Sequence, residues 1–340
     1  MKILILGGTG LISTGVTRLL LERGDEVTHF NRGQRSQEFA GRVRTVTGDR
    51  YEHAAFEAQM AELPAFDCVL DMIGFSPPDV ESLLRAFGGR TGHLVFCSTV
   101  DVYARPASAY PVREDEPFKP AAWDYSQRKV LCENLLWEWH AREQRPFTVL
   151  RPVHTYSDDG AILHTFGRET YHLDRLLKGK PVIVHGDGSS LWSSVHRDDA
   201  SVAFVNALGN PVAFGKSYHL PGDECVTWNQ YHARVAEGIG APAPRLVPIP
   251  TEVLFPMDRC AFITAINFQF NNCFDAAAAR SELGFRYTTS IAEGARRIYA
   301  RLCRTGRLQS WEEVPQDDRI LAAWERARRR MEEELADLNG

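Results

Sequence analysis

Apolar positions follow two rhythms along this chain. Ile3 to Leu6 is a continuous apolar run, and after a glycine-rich break Val16 to Leu21 continues at helical spacing. The run reads as a strand buried on both faces, and the spacing as a helix packed against it. The alternation repeats, with strands predicted at residues 2–6, 26–30, 43–47, 68–72 and 93–97 and helices between them. Strands separated by helices pair in parallel and are covered on both faces, so the first half is predicted to be a doubly wound parallel sheet of α/β class. From about Tyr156 the pattern mixes loops, short strands and helices, as a smaller mixed α/β lobe would. From Arg304 it changes again. Trp311-Glu312-Glu313 and then Asp317 to Leu338 give a helix dense in Glu and Arg, an exposed face held by weak ion pairs. Two placements are open to this tail, against the body of the chain or against the second subunit of a homodimer.

Composition narrows the functional classes. The chain has 340 residues, 44% hydrophobic and 24% charged, with a formal net charge of −5. That is an ordinary globular composition, long enough for one large core or two unequal ones. The acidic balance gives no electrostatic footprint for nucleic acid or an anionic membrane, so a small molecule is the expected partner. No apolar run reaches the length of a membrane span, and Ile3 to Leu6 is too short for a signal peptide, so a cytoplasmic location is expected. The cysteines at 68, 97, 132, 225, 260, 273 and 303 include no Cys-x-x-Cys pair, which argues against both a disulfide framework and a zinc site. His154, His185 and His196 come without acidic or cysteine ligands at a known spacing, so no metal is expected.

The break after the first strand is Gly7-Gly8-Thr9-Gly10-Leu11-Ile12. Glycines there let the strand stop, let a pyrophosphate approach the backbone, and present helix N–H groups to it, which is the cradle of a Rossmann dinucleotide fold. Folds that select NAD usually end the second strand with an acidic residue for the ribose hydroxyls. This chain has Asn31 and Arg32 there, with Arg35 close behind. A carboxylate would repel a 2′-phosphate and a guanidinium pairs with it, so the cofactor is expected to be NADP or NAD, with NADP favoured. Asp49, followed by Arg50, is placed for the adenine end, although Asp after Gly is also ordinary turn chemistry. Met72-Ile73-Gly74 offers apolar contact and close backbone approach to the cofactor's middle.

The fifth strand runs into Ser98-Thr99, and Tyr125 and Lys129 lie four residues apart on one helix face. A free phenol, with a pKa of about 10, is a poor acid or base at neutral pH. A neighbouring ammonium favours the phenolate, and Lys129 is expected to lower the pKa of Tyr125 in this way while holding the nicotinamide ribose. Thr99 or Ser98 would hold the substrate oxygen as Tyr125 takes or returns its proton.

Gly7-Gly8-Thr9-Gly10, Ser98-Thr99 before Val102-Tyr103, Tyr125 to Lys129, Leu150-Arg151-Pro152 and Val195-His196-Arg197-Asp198-Asp199 occur in a familiar order. The chain resembles the extended short-chain dehydrogenase/reductases, the group that holds the NAD-dependent sugar epimerases and dehydratases, from residue 1 to about 303. The resemblance implies Thr99 as the catalytic Ser/Thr, Tyr125 as acid/base and Lys129 as its electrostatic partner. It also implies Ser98 at the nicotinamide end and Pro152-Val153-His154 against the carboxamide, with His154 a substrate contact as well. The expected activity is that of an NAD(P)-dependent oxidoreductase or epimerase acting on a secondary alcohol of a sugar-like substrate. A non-catalytic nucleotide- or RNA-binding protein on the same fold is the alternative. Residues 1–155 with 191–222 are expected to form the Rossmann domain, 156–190 with 223–303 mainly the substrate lobe, and 304–340 the helical tail.

Three positions depart from the family pattern. Ser13 replaces the last glycine of the fingerprint, so the packing there is expected to be looser or shifted. His154 replaces the asparagine usual after Arg-Pro. Trp192 stands where nucleotide-sugar enzymes commonly carry a diphosphate-binding arginine, and it is expected to offer a flat face on which a sugar ring stacks. The expected substrate is therefore a free or simply substituted sugar or polyol.

Overall fold

The computed structural model describes residues 1–34, 38–120, 123–160, 162–257 and 261–336. They form two compact units. The first comprises Met1–Tyr156, Ser193–Asp223 and Cys273–Thr289. It begins β1 (Lys2–Leu6), α1 (Leu11–Arg23), β2 (Glu26–Asn31), β3 (Arg44–Thr47), α2 (His53–Ala61), β4 (Phe66–Asp71), α3 (Pro77–Phe87) and β5 (Thr91–Cys97). A short 3-10 turn at Val100–Val102, α4 (Asp124–Glu143), β6 (Phe147–Pro152) and β7 (His154–Tyr156) follow. The chain later returns as β10 (Ser194–His196), α6 (Arg197–Ala207), β11 (Lys216–Leu220) and α9 (Ala277–Leu283).

Seven parallel strands make one sheet in the order β11-β6-β5-β4-β1-β2-β3. Side chains alternate faces along a strand, and β1 shows what that demands of the sequence. Ile3 and Ile5 enter one core with Val16 and Leu20 of α1 and Ala203 and Phe204 of α6. Leu4 and Leu6 enter the other with Phe56 of α2, Leu83 of α3 and Leu136 of α4. β3, at the edge, needs no such run, and its Arg44-Thr45-Val46-Thr47 is half-buried or exposed throughout.

Ser13 does not loosen the first turn. Its Oγ donates to the Gly7 carbonyl and accepts from the Gly10 N–H, both at 2.7 Å, so the hydroxyl stitches the glycine turn to α1. Close helix packing is supplied by Gly15, where a Cβ would lie 2.4 Å from Ser201 Oγ of α6.

The second unit comprises Ser157–Trp192, Glu224–Asn272 and Ser290–Gly340. It contains α5 (Tyr171–Leu177), β8 (Pro181–His185), β9 (Leu191–Trp192), β12 (Val226–Thr227), α7 (Trp228–Ile239), β13 (Arg245–Ile249), α8 (Thr251–Met257), α10 (Ile291–Thr305) and α11 (Gln316–Leu335). β8 pairs in parallel with β13, and β9 pairs antiparallel with β12. Two boundaries differ from those expected. Residues 273–289 join the first unit because Phe274, Leu283 and Phe285 are buried in its core. The tail joins the second unit. Tyr171 donates to Asp317 at 3.0 Å, Arg175 pairs with Asp318 at 2.7 Å, and Ile320 enters that unit's core. No described helix is long and apolar enough to cross a membrane.

Several histidines are held neutral by burial. In the second unit His164 and His172 stack at 4.9 Å, with His232 at 5.1 Å from His172. Burial drives His172 well below the usual range, His185 to about 4 and His232 to about 3. In the first unit it takes His29 and His93 to about 4. An unfolded imidazole titrates at about 6.5, so below that pH the unfolded chain binds more protons than the native one. Stability is therefore whole above about pH 6.5 and is lost on acidification, by up to about 1.4 kcal/mol per pH unit for each such group. Urea unfolding midpoints are expected to fall steeply from about pH 6.5 to about pH 4.5; midpoints that stay level across that range contradict neutral burial.

Candidate active site

β1 ends at Gly7, whose φ of +85° lies in the left-handed region and whose added Cβ would meet the Ile73 side chain at 2.5 Å. A cleft of about 390 Å³ opens at this turn. It is lined by Gly7, Thr9, Gly10 and Leu11, by Asn31 and Arg32 at the end of β2, by Asp49 and Arg50 after β3, and by Met72 and Ile73 after β4. This is the carboxyl edge of a parallel sheet, where open α/β folds take their ligands. Gln34, Tyr51 and Phe75 also line it, although nothing in the sequence pattern singled them out. Gly8 and Ile12 lie buried behind the turn, outside the lining. Arg35 lies outside the described residues.

The lining fits a dinucleotide. Asn31 Oδ1 accepts the Gly33 N–H at 2.8 Å, while its buried Nδ2 meets no partner among the described residues. A buried donor left unmet is costly, and a ribose oxygen at the end of β2 would meet it. Asp49 Oδ1 accepts the Tyr51 N–H at 3.0 Å, so it shapes its own turn while facing the cleft. Arg50 lines the cleft, but its terminal N–H groups are held from behind. It is 2% exposed, its guanidinium lies 4.0 Å over the Phe56 ring, and its N–H groups go to the Asp79 carbonyl and Ser82 Oγ, with Asp71 3.8 Å away.

At the end of β5, Thr99 caps the 3-10 turn, its Oγ1 accepting the Asp101 N–H at 3.2 Å, and its hydroxyl is near enough to act on the phenol of Tyr125 from the first turn of α4. The Phe75 ring lies 6.4 Å from that of Tyr125 and also lines the cleft, so cleft and hydroxyl pair adjoin. Lys129 is 1% exposed and donates to the Gly74 and Cys97 carbonyls, each at 2.8 Å. It therefore ties the ends of β4 and β5 to α4. Its expected effect on Tyr125 is reversed in outcome. Burial, then the Asp101 charge, then Cys97 push the phenol's pKa up, against a smaller opposing pull from the Thr99 hydrogen bond. Tyr125 thus keeps its proton at neutral pH. Burial likewise pushes the Cys97 thiol up to about 11.

The buried Oγ of Ser98 donates to Glu133 at 2.5 Å, so toward a ligand it has only lone pairs to offer. Glu133, one helical turn beyond Lys129, also takes Arg151 of β6 at 2.6 Å, and Arg151 continues to the Tyr103 hydroxyl, which meets His219 at 2.7 Å. The signal for Glu133 was present in the sequence as the i+4 step after Tyr125 and Lys129. Pro152 and Val153 are buried where β6 ends, and His154 begins β7 with its ring stacked on Tyr156 at 6.3 Å. Trp192 also needs correction. It is 4% exposed in the second unit, its ring against Trp228 at 5.1 Å and Phe268 at 4.9 Å, so it is a core ring and offers no open stacking face. Among the described residues no group of three or more His, Cys, Asp or Glu is arranged to hold a metal ion.

With this geometry established, comparison places the chain among known proteins. The NAD dependent epimerase/dehydratase family matches residues 3–220. The chloroplast stem-loop binding protein of 41 kDa b of Arabidopsis thaliana is 26% identical over 94% of this chain and 84% of its own length. The 2'-dehydrokanamycin reductase of Streptomyces kanamyceticus is 27% identical over 74% of this chain and 70% of its own. Among solved structures, UDP-glucose 4-epimerase from Bifidobacterium longum, in complex with NAD+ and UDP, has a TM-score of 0.70 at 19% identity, covering 91% of this chain and 100% of that one.

The buried network generates a stability prediction. Glu133→Ala leaves Arg151 buried without its carboxylate and is expected to cost about 3–5 kcal/mol in denaturant unfolding. A loss under about 1 kcal/mol, the size of a surface pair, would contradict the buried role.

Proposed function

The chain belongs to the NAD dependent epimerase/dehydratase family, and on that premise we propose that it is a nicotinamide-dependent oxidoreductase acting on a secondary alcohol, or its ketone, in a sugar-like molecule. The observation that carries this reading is that Tyr125 and Thr99 come together at the end of β5 beside a cleft built from the glycine turn, with Phe75 bordering both. A bound nicotinamide would supply or accept the hydride at the reacting carbon. Thr99 then orients the substrate oxygen, and Tyr125 exchanges the proton on it. Tyr125 gives its proton to a ketone oxygen in reduction and takes it from the alcohol in the reverse direction. The relative named as a 2'-dehydrokanamycin reductase supports this chemistry on a sugar-like ketone. Lys129 acts by fixing α4 against the ends of β4 and β5.

NADP is proposed over NAD because Arg32 lines the cleft at the end of β2, where Asn31 rather than a carboxylate closes the strand. The proposed substrate is a sugar or polyol without a nucleoside diphosphate, since Trp192 supplies no guanidinium fork. The second reading is a binding protein without turnover, supported by the stem-loop binding relative's coverage of 94% of this chain.

Tyr125→Phe is expected to lower ketone-dependent NADPH oxidation by about 10²–10⁴-fold while NADPH still raises the Tm. Unchanged function in that variant favours the binder. Arg32→Asp should reverse the cofactor preference in titrations with NADP and NAD; an undiminished preference for NADP ends that assignment.

A further inference from the structure

We propose that Ser13 is a positioning residue of the cofactor site: its hydroxyl holds the Gly7–Gly10 turn in shape while the site is empty, so that the diphosphate of a dinucleotide enters a cradle already formed. This role rests on the dinucleotide reading above, whereas the bonds themselves stand without it.

Ser13 is fully buried in the first turn of α1. A hydroxyl has one proton and two lone pairs. The proton of Ser13 goes to the Gly7 carbonyl and a lone pair takes the Gly10 N–H, each bond at 2.7 Å. The Gly10 N–H also reaches the Gly7 carbonyl at 3.2 Å, so three polar groups close a ring of bonds inside the turn. Both ends of the turn are tied outside that ring as well. The Gly7 N–H donates to the Phe30 carbonyl of β2 at 2.9 Å, and the Gly10 carbonyl accepts the Thr14 N–H at 3.2 Å and the Thr14 hydroxyl at 3.1 Å. Glycine, which the fingerprint usually carries at this position, has no hydroxyl and would leave Gly7 and Gly10 joined by the single longer bond.

The middle of the turn is wedged from beneath. A Cβ added to Gly8 would lie 2.3 Å from the His29 ring. His29 Nε2 is 2.8 Å from Thr17 Oγ1, and Thr17 gives its own proton to the Ser13 carbonyl at 2.7 Å, so the imidazole N–H is the donor to Thr17. Residue 13 thus holds the turn twice, directly through its hydroxyl and through its carbonyl by way of Thr17 and His29.

The N–H groups of Gly7 and Gly10 are consumed within the protein. What remains for a ligand is the start of α1, where Leu11 lines the cleft and the first N–H groups have no acceptor inside the helix. The same cleft carries the buried Asn31 Nδ2, unmet among the described residues, a second feature that suits an oxygen-rich ligand. A diphosphate that meets a turn already fixed does not lose affinity to ordering it.

The test compares Ser13→Gly and Ser13→Ala with the parent full-length protein. Amide hydrogen exchange, resolved to single residues by mass spectrometry, reads the empty site. In the ligand-free parent the Gly10 amide should exchange at least about tenfold more slowly than in an unfolded peptide, and both variants should lose that protection. Ligand titrations should show the Kd for NADPH raised about tenfold in the variants. Adenosine 2′-monophosphate, which lacks the diphosphate, should bind them as it binds the parent. A Gly10 amide that exchanges freely in the ligand-free parent overturns the proposal, and so do variants that bind NADPH as tightly as the parent does. An equal loss for NADPH and the monophosphate also overturns it, because the whole cleft would then have slackened. If the variants fail to fold by circular dichroism, or the monophosphate binds too weakly to titrate, Gly10 exchange in the parent decides: slow exchange supports the proposal and fast exchange overturns it. A parent protein that binds neither NADPH nor NADH defeats the proposed function, and the cofactor role of Ser13 with it, even where Gly10 exchanges slowly.

Discussion

A carboxylate inside a protein must be met by donors, and Glu133 is where the first unit satisfies that demand. It lies one turn beyond Lys129 and two beyond Tyr125 on α4, and it binds Ser98 at the end of β5 and Arg151 on β6. Arg151 passes the tie to Tyr103 and through it to His219 on β11. The helix that carries Tyr125 cannot slide along the sheet without stripping partners from a buried charge. Breaking such a pair costs several kcal/mol, whereas the Glu–Arg pairs along exposed α11 contribute tenths. The spacing of Tyr125 and Thr99 is thus set from beneath by the core.

Above that platform two kinds of buried polar group divide the work. Lys129 satisfies its ammonium on strand-end carbonyls and so fixes α4 against β4 and β5. Tyr125 is left among aromatic rings with Thr99 and the Asp101 charge, surroundings in which a phenol retains its proton. The cleft beside them has the opposite character. Backbone N–H groups at the glycine turn and the Nδ2 of Asn31, unmet among the described residues, suit an anionic, oxygen-rich ligand. Phe75 borders both regions, which joins the ligand's place to the hydroxyl pair.

The alternation of apolar runs and helical spacing made the parallel sheet legible, because strands buried on both faces have no choice but to be apolar. β1 and the glycine turn were readable for the same reason: Gly7 needs a positive φ and close approach to Ile73. Less was readable where a residue's job depends on distant partners. Lys129 shares a helix face with Tyr125, yet its ammonium turns to carbonyls of two strands, which spacing along the helix does not encode. Arg50 and Ser98 sit at cofactor positions in sequence, but the bonds of the Arg50 Nη groups to Asp79 and Ser82 and of Ser98 Oγ to Glu133 join residues far apart in the chain. Trp192 reads as a surface for a sugar because it stands where nucleotide-sugar enzymes carry a diphosphate-binding arginine; Trp228 and Phe268, which bury it, come from later in the chain. Phe274 and Phe285 moved a boundary by the same means, since an apolar side chain goes to whichever core has room.

The central claim is that Tyr125 and the glycine-turn cleft serve one bound dinucleotide. A crystal structure of the protein with NADP tests it most directly. The account places the diphosphate on the Gly7–Gly10 turn, the 2′-phosphate beside Arg32, and the nicotinamide ring next to the Tyr125–Thr99 pair. A dinucleotide bound elsewhere, or one whose nicotinamide points away from Tyr125, would contradict it.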